Sequence, residues 1–549
     1  MDPIDKLPTL PSDYYLHNFR SLVEQTRQRY GDLLTAAEQQ LLERFSQCPE
    51  PAQMLYIRLI CRRGPSFRSD KLSYPEIGEL RSAADHLQQQ ALLSIDPDID
   101  AEILGQLLTA VELRQHFALH KDRKPALISQ LRQQQPESRP LRHWLPAEPF
   151  EIWQPQGYEL LSRLKLLYFG NLHQDLTEFV LRDLGLMRFE PYSLSRPHRQ
   201  FRERRQLELI LLLQQLRQQW QEQPADEAEL PLIVDRLIER LEPVSADHEP
   251  LPLQSRLLNS LARQIERQGL SEQAIRLYRY SQEAPARERE ARLLDVLGQT
   301  EQALQLCRQI EQSPWDISEQ RFVTGFMPRL QRRLGGPPVR RRAMSYESCQ
   351  LQLADDGQRV EMQVLAHYQQ RGWQGVWCEN DLLCGLLGLL CWQQIFADLP
   401  GVYSQPFQAA PLDIDSGQFY RRRRALFEQR FAELQHCDLR TELTACWQQK
   451  TGTQNPLVRW ATLKLELLCE IADRLPRAQL IALLRTLAFD IRHFRAGLPD
   501  LMLWRHDDYR MVEVKGPGDS LQESQKRWLE QFQQLGIPYQ ICHVSWQTG

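Results

Sequence analysis

Along most of the chain, apolar residues recur three and four positions apart in Leu- and Gln-rich runs, which predicts amphipathic helices. Proline-rich joints at "QPADEAELP", "HEPLPLQ" and "GGPPV" break these runs, because Pro cannot continue a helix and biases its predecessor towards extended backbone. The longest apolar run, "DLLCGLLGLLCWQQIFADL", begins at Asp381 and is interrupted by Gly385, Gly388, Gln393 and Gln394. It predicts a buried core helix and no membrane span. Glutamines are spread along the helical faces, so they do not form a low-complexity tract.

After "GGPPV" the pattern changes. Trp373, Trp377 and Trp392 appear, and then the first strand-like alternation. "LMLW" and "YRMVEVK" flank a turn at "RHDD", and "YQICHVSW" is a third strand. Between them, "SLQESQKRWLEQFQQLG" predicts a helix capped by Ser520, with Glu523 completing a capping box and Gly536 as the stop. Strand–turn–strand–helix–strand predicts a compact α/β unit.

Two helical features stand out upstream. "LGQLLTAVELRQHFALHKDRKPALISQLR" predicts two short helices joined by a basic turn, with Thr109 and Glu112 forming a capping box. Lys121, Arg123 and Lys124 lie at that turn and at the start of the second helix, where free backbone N–H groups favour phosphate. "GLSEQAIRLYR" (269–279) and "GQTEQALQLCR" (298–308) repeat each other. Ala274 and Ala303 allow close helix contact, and Leu277 and Leu306 are expected on one seam, as in helical-repeat pairs.

Composition narrows the class. A chain of 549 residues with 42% hydrophobic and 25% charged residues predicts several globular domains. The eleven Cys include no C-x-x-C pair, which argues against a disulfide framework or a Cys-rich zinc site. The N-terminal "MDPIDKLPTLPSDYY" lacks a basic start and an apolar core, so a cytoplasmic protein is expected. Net charge is −4, but basic residues cluster. Arg58, Arg62, Arg63, Arg68 and Lys71 form one group; Arg196, Arg199, Arg202, Arg204 and Arg205 a second; Arg332, Arg333 and Arg340 to Arg342 a third. Phe67 and Phe201 lie nearby, and the clusters raise nucleic-acid binding as a function.

The sharpest candidate chemistry is in "GLPDLMLWRHDDYRMVEVKGPGD". A divalent-metal nuclease must gather carboxylates that repel one another without a cation, and must leave room for water and phosphate. Alternation puts Glu513 and Lys515 on one face of a strand and Val512 and Val514 on the other. A hairpin brings Asp500 beside the polar face, with the Val514 carbonyl as a further oxygen ligand. Gly516-Pro517-Gly518 ends the strand directly after the Lys.

"GLPDL", "EVKGPGD" and "SQKRWL" together resemble the virus-type replication-repair nuclease domain of the PD-(D/E)xK superfamily. "GWQGVWCENDLLCGLLGLLCWQQIF" and "FYRRRRALFEQR" resemble the region preceding it in the Fanconi-associated nuclease family, and the chain looks like a bacterial member. The segment around Thr109 resembles a DNA-binding SAP module, and the repeats resemble tetratricopeptide pairs. The resemblance implies a multidomain protein: a helical DNA-binding region (1–95), a SAP-like module (96–150), a helical basic linker (151–250), tetratricopeptide-like repeats (251–345) and an α/β nuclease domain with a helical lead-in (346–549).

It also implies a Mg²⁺- or Mn²⁺-dependent, structure-selective 5′-flap endonuclease and 5′→3′ exonuclease acting in interstrand-crosslink repair. Asp500, Glu513, Lys515 and Gln525 would be catalytic; Glu379, Asp500, Glu513 and the Val514 carbonyl would hold metal. Branched DNA, as 5′ flaps or crosslinked duplex, would be the partner, through Lys121, Arg123, Lys124, Arg199, Arg202, Arg421 and Arg422. Neither a membrane nor a ubiquitin-binding zinc finger is expected, since Cys48 and Cys61 lack clustered Cys or His. A protein of this kind would act at the nucleoid. A junction resolvase and a non-catalytic branched-DNA scaffold are the alternatives.

Overall fold

A computed structural model describes residues 11–117, 119, 123–174, 187–223, 225–337, 346–378, 380–506 and 508–547. Glu379, Lys121 and Arg340 to Arg342 lie outside the described residues. The chain forms two compact units, Met1–Leu186 with Arg199–Leu207, and Met187–His198 with Glu208–Gly549. Among the described residues no helix is long and apolar enough to cross a membrane.

The first unit is helical apart from a small antiparallel sheet, in which β3 (Ile152–Pro155) runs between β1 (Phe67–Arg68) and β2 (Leu93–Ile95). Helices α1 (Tyr14–Tyr30) and α2 (Ala36–Gln47) open it. The stretch expected to hold two short helices contains α4 (Ala110–His116) and α5 (Lys124–Gln134), preceded by α3 (Ala101–Leu107) and followed by a single turn at Leu141–Trp144. Thr109 and Glu112 do form the capping box of α4. A Cβ on Gly105 would come within 2.5 Å of Ile128, so glycine lets α3 and α5 approach closely.

In the second unit the repeat pattern becomes α6 (Ser271–Tyr278) and α7 (Thr300–Gln312). Ala274 and Ala303 are fully buried, as are Leu277 and Cys307. Leu306 is only half-buried, because its helix turns Leu304 and Cys307 inward instead. Helix α8 (Ile317–Arg333) follows.

The C-terminal sheet has five strands in the order β4 (Ser348–Leu353), β8 (Tyr539–Trp546), β7 (Asp508–Lys515), β6 (Leu501–Arg505) and β5 (Gln374–Trp377). β8 is parallel to both β4 and β7, whereas β7–β6 and β6–β5 are antiparallel. In this sheet β4 and β5 are the strands that sequence pattern missed, being short and at best half-buried at the two edges, just as it missed the short β1, β2 and β3 in regions expected to be helical.

The sheet's two faces pack differently. One face presents Leu501, Leu503, Val512, Val514, Cys542 and Val544 to α9 (Val360–Gln369), whose Val364 and Leu365 complete that core. The other presents Met502, Trp504, Met511 and Ile541 to a more extensive core. That core holds α10 (Asp381–Leu390), α11 (Gln418–Leu434), α12 (Arg477–Phe489) and α13 (Glu523–Leu535). Removing each such large side chain from water contributes about 1.5–3 kcal/mol, and the α10 run is buried throughout, as its apolar pattern predicts.

Candidate active site

The alternation of β7 dictates the site. Val512 and Val514 enter the α9 core, so Glu513 and Lys515 must emerge on the opposite face. Asp500 sits one residue before β6, and the Leu501–Val512 register carries it opposite Glu513. Its Oδ2 accepts a hydrogen bond from the Val514 backbone N–H at 2.8 Å. The approach to Asp500 is pinned from the strand beyond β6. Cys378 N–H donates to the Asp500 carbonyl at 2.9 Å, and Asn380 Oδ1 accepts from Gly497 N–H at 2.7 Å. The described neighbours on both sides of Glu379 are thus tied to the segment that delivers Asp500.

Gly497 is required for two reasons. Its φ is +89°, and a Cβ there would stand 2.6 Å from the Ser524 carbonyl carbon, in the first turn of α13. That close approach brings the α13 N-terminus over the hairpin. The helix begins later than expected: its cap is Gln522, paired with Gln525 in a capping box, in place of Ser520 and Glu523. The cause is Asp519, whose carboxylate accepts from Gly516 N–H at 3.0 Å and holds residues 516–519 in a turn, which delays the helix.

This shift places Gln525 within the site. Its Oε1 accepts from Gln522 N–H and from Lys515 Nζ, each at 2.9 Å, while its Nε2 donates to Glu513 Oε1 at 2.6 Å. Lys515 Nζ also lies 3.0 Å from Glu513 Oε1. Glu513 is only 1% exposed, and its second oxygen, Oε2, has no hydrogen-bond partner among the described residues. Burial pushes the Glu513 carboxyl up to about 8, the Asp500 charge adds to this, and Lys515 and Gln525 pull it back. An unmatched carboxylate oxygen in the interior carries a large desolvation cost, and the hard-oxygen donor set of Asp500 and Glu513 fits a divalent cation that would offset it.

Asn380 is a positioning residue that sequence reasoning missed; its neighbour Glu379 was the only signal. A second group of metal-capable side chains, Asp316, Asp490 and His493, lies within 4.8 Å ligand to ligand. Its carboxylates are already used: Asp316 caps α8, and Asp490 Oδ2 accepts from Ile317 N–H at 3.0 Å and from His493 Nδ1 at 2.8 Å.

The residues expected to meet DNA are distributed. In the first unit, Arg123 is exposed at the α5 N-terminus, while Lys124 Nζ donates to the Gln106 carbonyl at 2.9 Å. Arg199 clamps both oxygens of Asp32 at 2.6 and 2.8 Å, and Arg202 is exposed beside it. Phe67 and Phe201 are core residues, so neither ring offers a stacking surface. In the second unit, Arg421 donates to the carbonyls of Gly417 and Gln282, and Arg422 to Asp413 and Pro400. Arg424 is the exposed member of that run.

A mixed sheet whose central hairpin turns two carboxylates and an ammonium to one face defines a PD-(D/E)xK-type nuclease domain. Residues 436–546 match the VRR-NUC domain, 13–94 the FAN1 HTH domain, and 98–144 the Fanconi anemia-associated nuclease SAP domain. The chain is 37% identical to the Fanconi-associated nuclease 1 homolog of Pseudomonas aeruginosa, over 98% of this chain and 97% of that one. The human Fanconi-associated nuclease 1 is 37% identical over 34% of this chain and 19% of its own. A crystal structure of paFAN1 bound to 2nt 5'flap DNA with gap superposes with a TM-score of 0.80 at 36% identity, covering 99% of this chain and all of that one. The protein belongs to the Fanconi-associated nuclease family.

Proposed function

We propose that this nuclease-family protein is a structure-selective, divalent-metal-dependent DNA nuclease that cuts 5′ flaps, degrades DNA 5′→3′ and serves interstrand-crosslink repair. The observation that carries the reading is the unmatched Glu513 Oε2, buried opposite Asp500 and beside Lys515. Similarity to a relative solved with 5′-flap DNA supports the substrate class.

In this reading Asp500, Glu513, the Val514 carbonyl and Glu379 hold Mg²⁺ or Mn²⁺. The chemistry such a cation supplies is Lewis-acid stabilisation of negative charge on the phosphate under attack. Gln525 fixes Glu513 by donating from Nε2 to its Oε1, which would leave Oε2 available to a cation. Lys515, steered by Gln525 and Glu513, presents an ammonium that orients the attacking water and offsets charge developing on the phosphoryl group. Helical segments bind the duplex arms by backbone contacts, with Arg123, Lys124, Arg199, Arg202, Arg421, Arg422 and Lys121 as candidates and 96–150 as a DNA-binding module. Recognition then follows shape and falls steeply with salt.

The test is cleavage of 5′-flap and four-way-junction DNA with Mg²⁺ or Mn²⁺, with and without chelator, by wild type and Asp500→Ala. Metal-dependent cutting of the flap that Asp500→Ala abolishes is the expected result. Symmetric junction cutting in preference to the flap would point to a resolvase. Tight flap binding without any metal-dependent cleavage would leave a scaffold.

A further inference from the structure

On the sheet face away from the candidate active site, two cysteines face each other across the edge. Cys349 on β4 and Cys542 on β8 are direct partners in a parallel register. Both side chains project to the same face and pack into the α9 core, Cys542 fully buried and Cys349 half-buried at its rim. Neighbouring strands lie about 4.8 Å apart, inside the Cα span of about 4.4–6.8 Å that a disulfide bridges. β4 is hydrogen-bonded on one side only, so it can make the small inward adjustment that closure needs.

We propose that Cys349 and Cys542 are a modification site, a vicinal thiol pair that a hydroperoxide converts reversibly into a disulfide stapling β4 to β8. The reacting sulfur is Cys349, the one nearer solvent. Its thiolate attacks the terminal peroxide oxygen and the O–O bond breaks, so that Cys349 becomes a sulfenic acid and the peroxide leaves as alcohol or water. The Cys542 thiol then displaces the sulfenic oxygen as water, forming the S–S bond. Two electrons and two protons pass from the two thiols to the peroxide, which is the oxidant.

The surroundings favour this order. The Cys349 thiol is held below its ordinary value, chiefly because the Cys542 thiol donates to it; burial opposes this, while the Tyr368 hydroxyl and the Arg510 charge assist. By contrast, burial pushes the thiols of Cys48, Cys307, Cys384 and Cys391 up. Cys61 is exposed and serves as the internal reference. The pair is tied to the active face through the backbone, since Cys542 is also the register partner of Val514 on β7.

The experiment treats the full chain with hydrogen peroxide, quenches it in acid and maps the peptides by mass spectrometry. The expected result is a crosslink joining the peptides of Cys349 and Cys542, loss of two of the eleven thiols on titration of the unfolded protein, and recovery of both with dithiothreitol. In Cys542→Ala the crosslink is absent and Cys349 is trapped by dimedone as the sulfenic acid. Oxidation of Cys61 while Cys349 stays reduced would overturn the proposal, as would a crosslink from Cys349 to any other cysteine. The wild-type result stands by itself, so a poorly folding variant cannot rescue the idea.

Discussion

Arg423 and Asp413, on and before α11, are as buried as Lys515 and Glu513 on β7. Yet the two pairs are finished differently. Arg423 grips both oxygens of Asp413, at 2.8 and 3.1 Å, also donates to the Phe419 carbonyl and stacks 4.3 Å from the Phe419 ring. Arg422 adds a further bond to the same carboxylate. The Asp413 carboxylate is closed. In the β7 pair, Lys515 and Gln525 converge on a single oxygen of Glu513 and leave the other without a partner. A bidentate guanidinium suits a structural lock, whereas the point charge of an ammonium leaves ligand capacity over. The atom left without a partner in the first pair is a donor, Arg423 Nε, which a cation cannot satisfy, whereas in the second it is an acceptor, Glu513 Oε2, which a cation can.

Substitutions should split along that line. Asp500→Ala and Glu513→Gln are expected to lower flap cleavage by at least about 10²-fold, with the circular dichroism spectrum of the folded protein retained. A loss of activity accompanied by unfolding would erase the distinction between the pairs. Asp413→Ala should act the other way. It leaves the Arg423 charge buried without its partner and should cost about 3–5 kcal/mol of stability, seen in urea unfolding, while activity per folded molecule stays near wild type.

Gly497→Ala comes next. Left-handed backbone strain of about 1–3 kcal/mol combines with the contact to Ser524, so both stability and cleavage should fall together. Normal values for both would show that α13 can retreat from the hairpin.

The last expected effect is the pH dependence of the metal-free protein. Glu513 titrates near 8 when folded, against an ordinary value of 4.5. Between these values the folded protein holds a proton that the unfolded chain has released. Stability from this group is therefore fully present below the lower value and declines as pH rises towards the higher one. Melts in chelator should drift down over that window. Glu513→Gln should remove the drift, and Mg²⁺ or Mn²⁺ should flatten it by binding the ionised carboxylate. A wild-type drift unchanged by Glu513→Gln would assign it to another group.

Alternation in "MVEVK" was sufficient to put Glu513 and Lys515 on one face, because side-chain period in a strand is fixed by backbone geometry. Motif spacing picked out Asp500, the family resemblance alone pointed to Gln525, and helical patterning gave the Thr109 cap, the buried α10 run and the repeat pair. The arginine runs were less legible. A guanidinium looks the same in sequence whether it faces solvent or clamps Asp32 or Asp413, and only the fold shows which acids lie within reach.

Local sequence thus determined the elements and the order of charges on β7, since propensity and periodicity act over a few residues. Tertiary structure decided what those charges meet. The edge strands β4 and β5, the Asn380 tether, the late start of α13 that swings Gln525 onto Glu513, and the facing of Cys349 with Cys542 all join segments far apart in the chain. A register between distant strands depends on the packing of both sheet faces at once, and no short stretch of sequence carries that information.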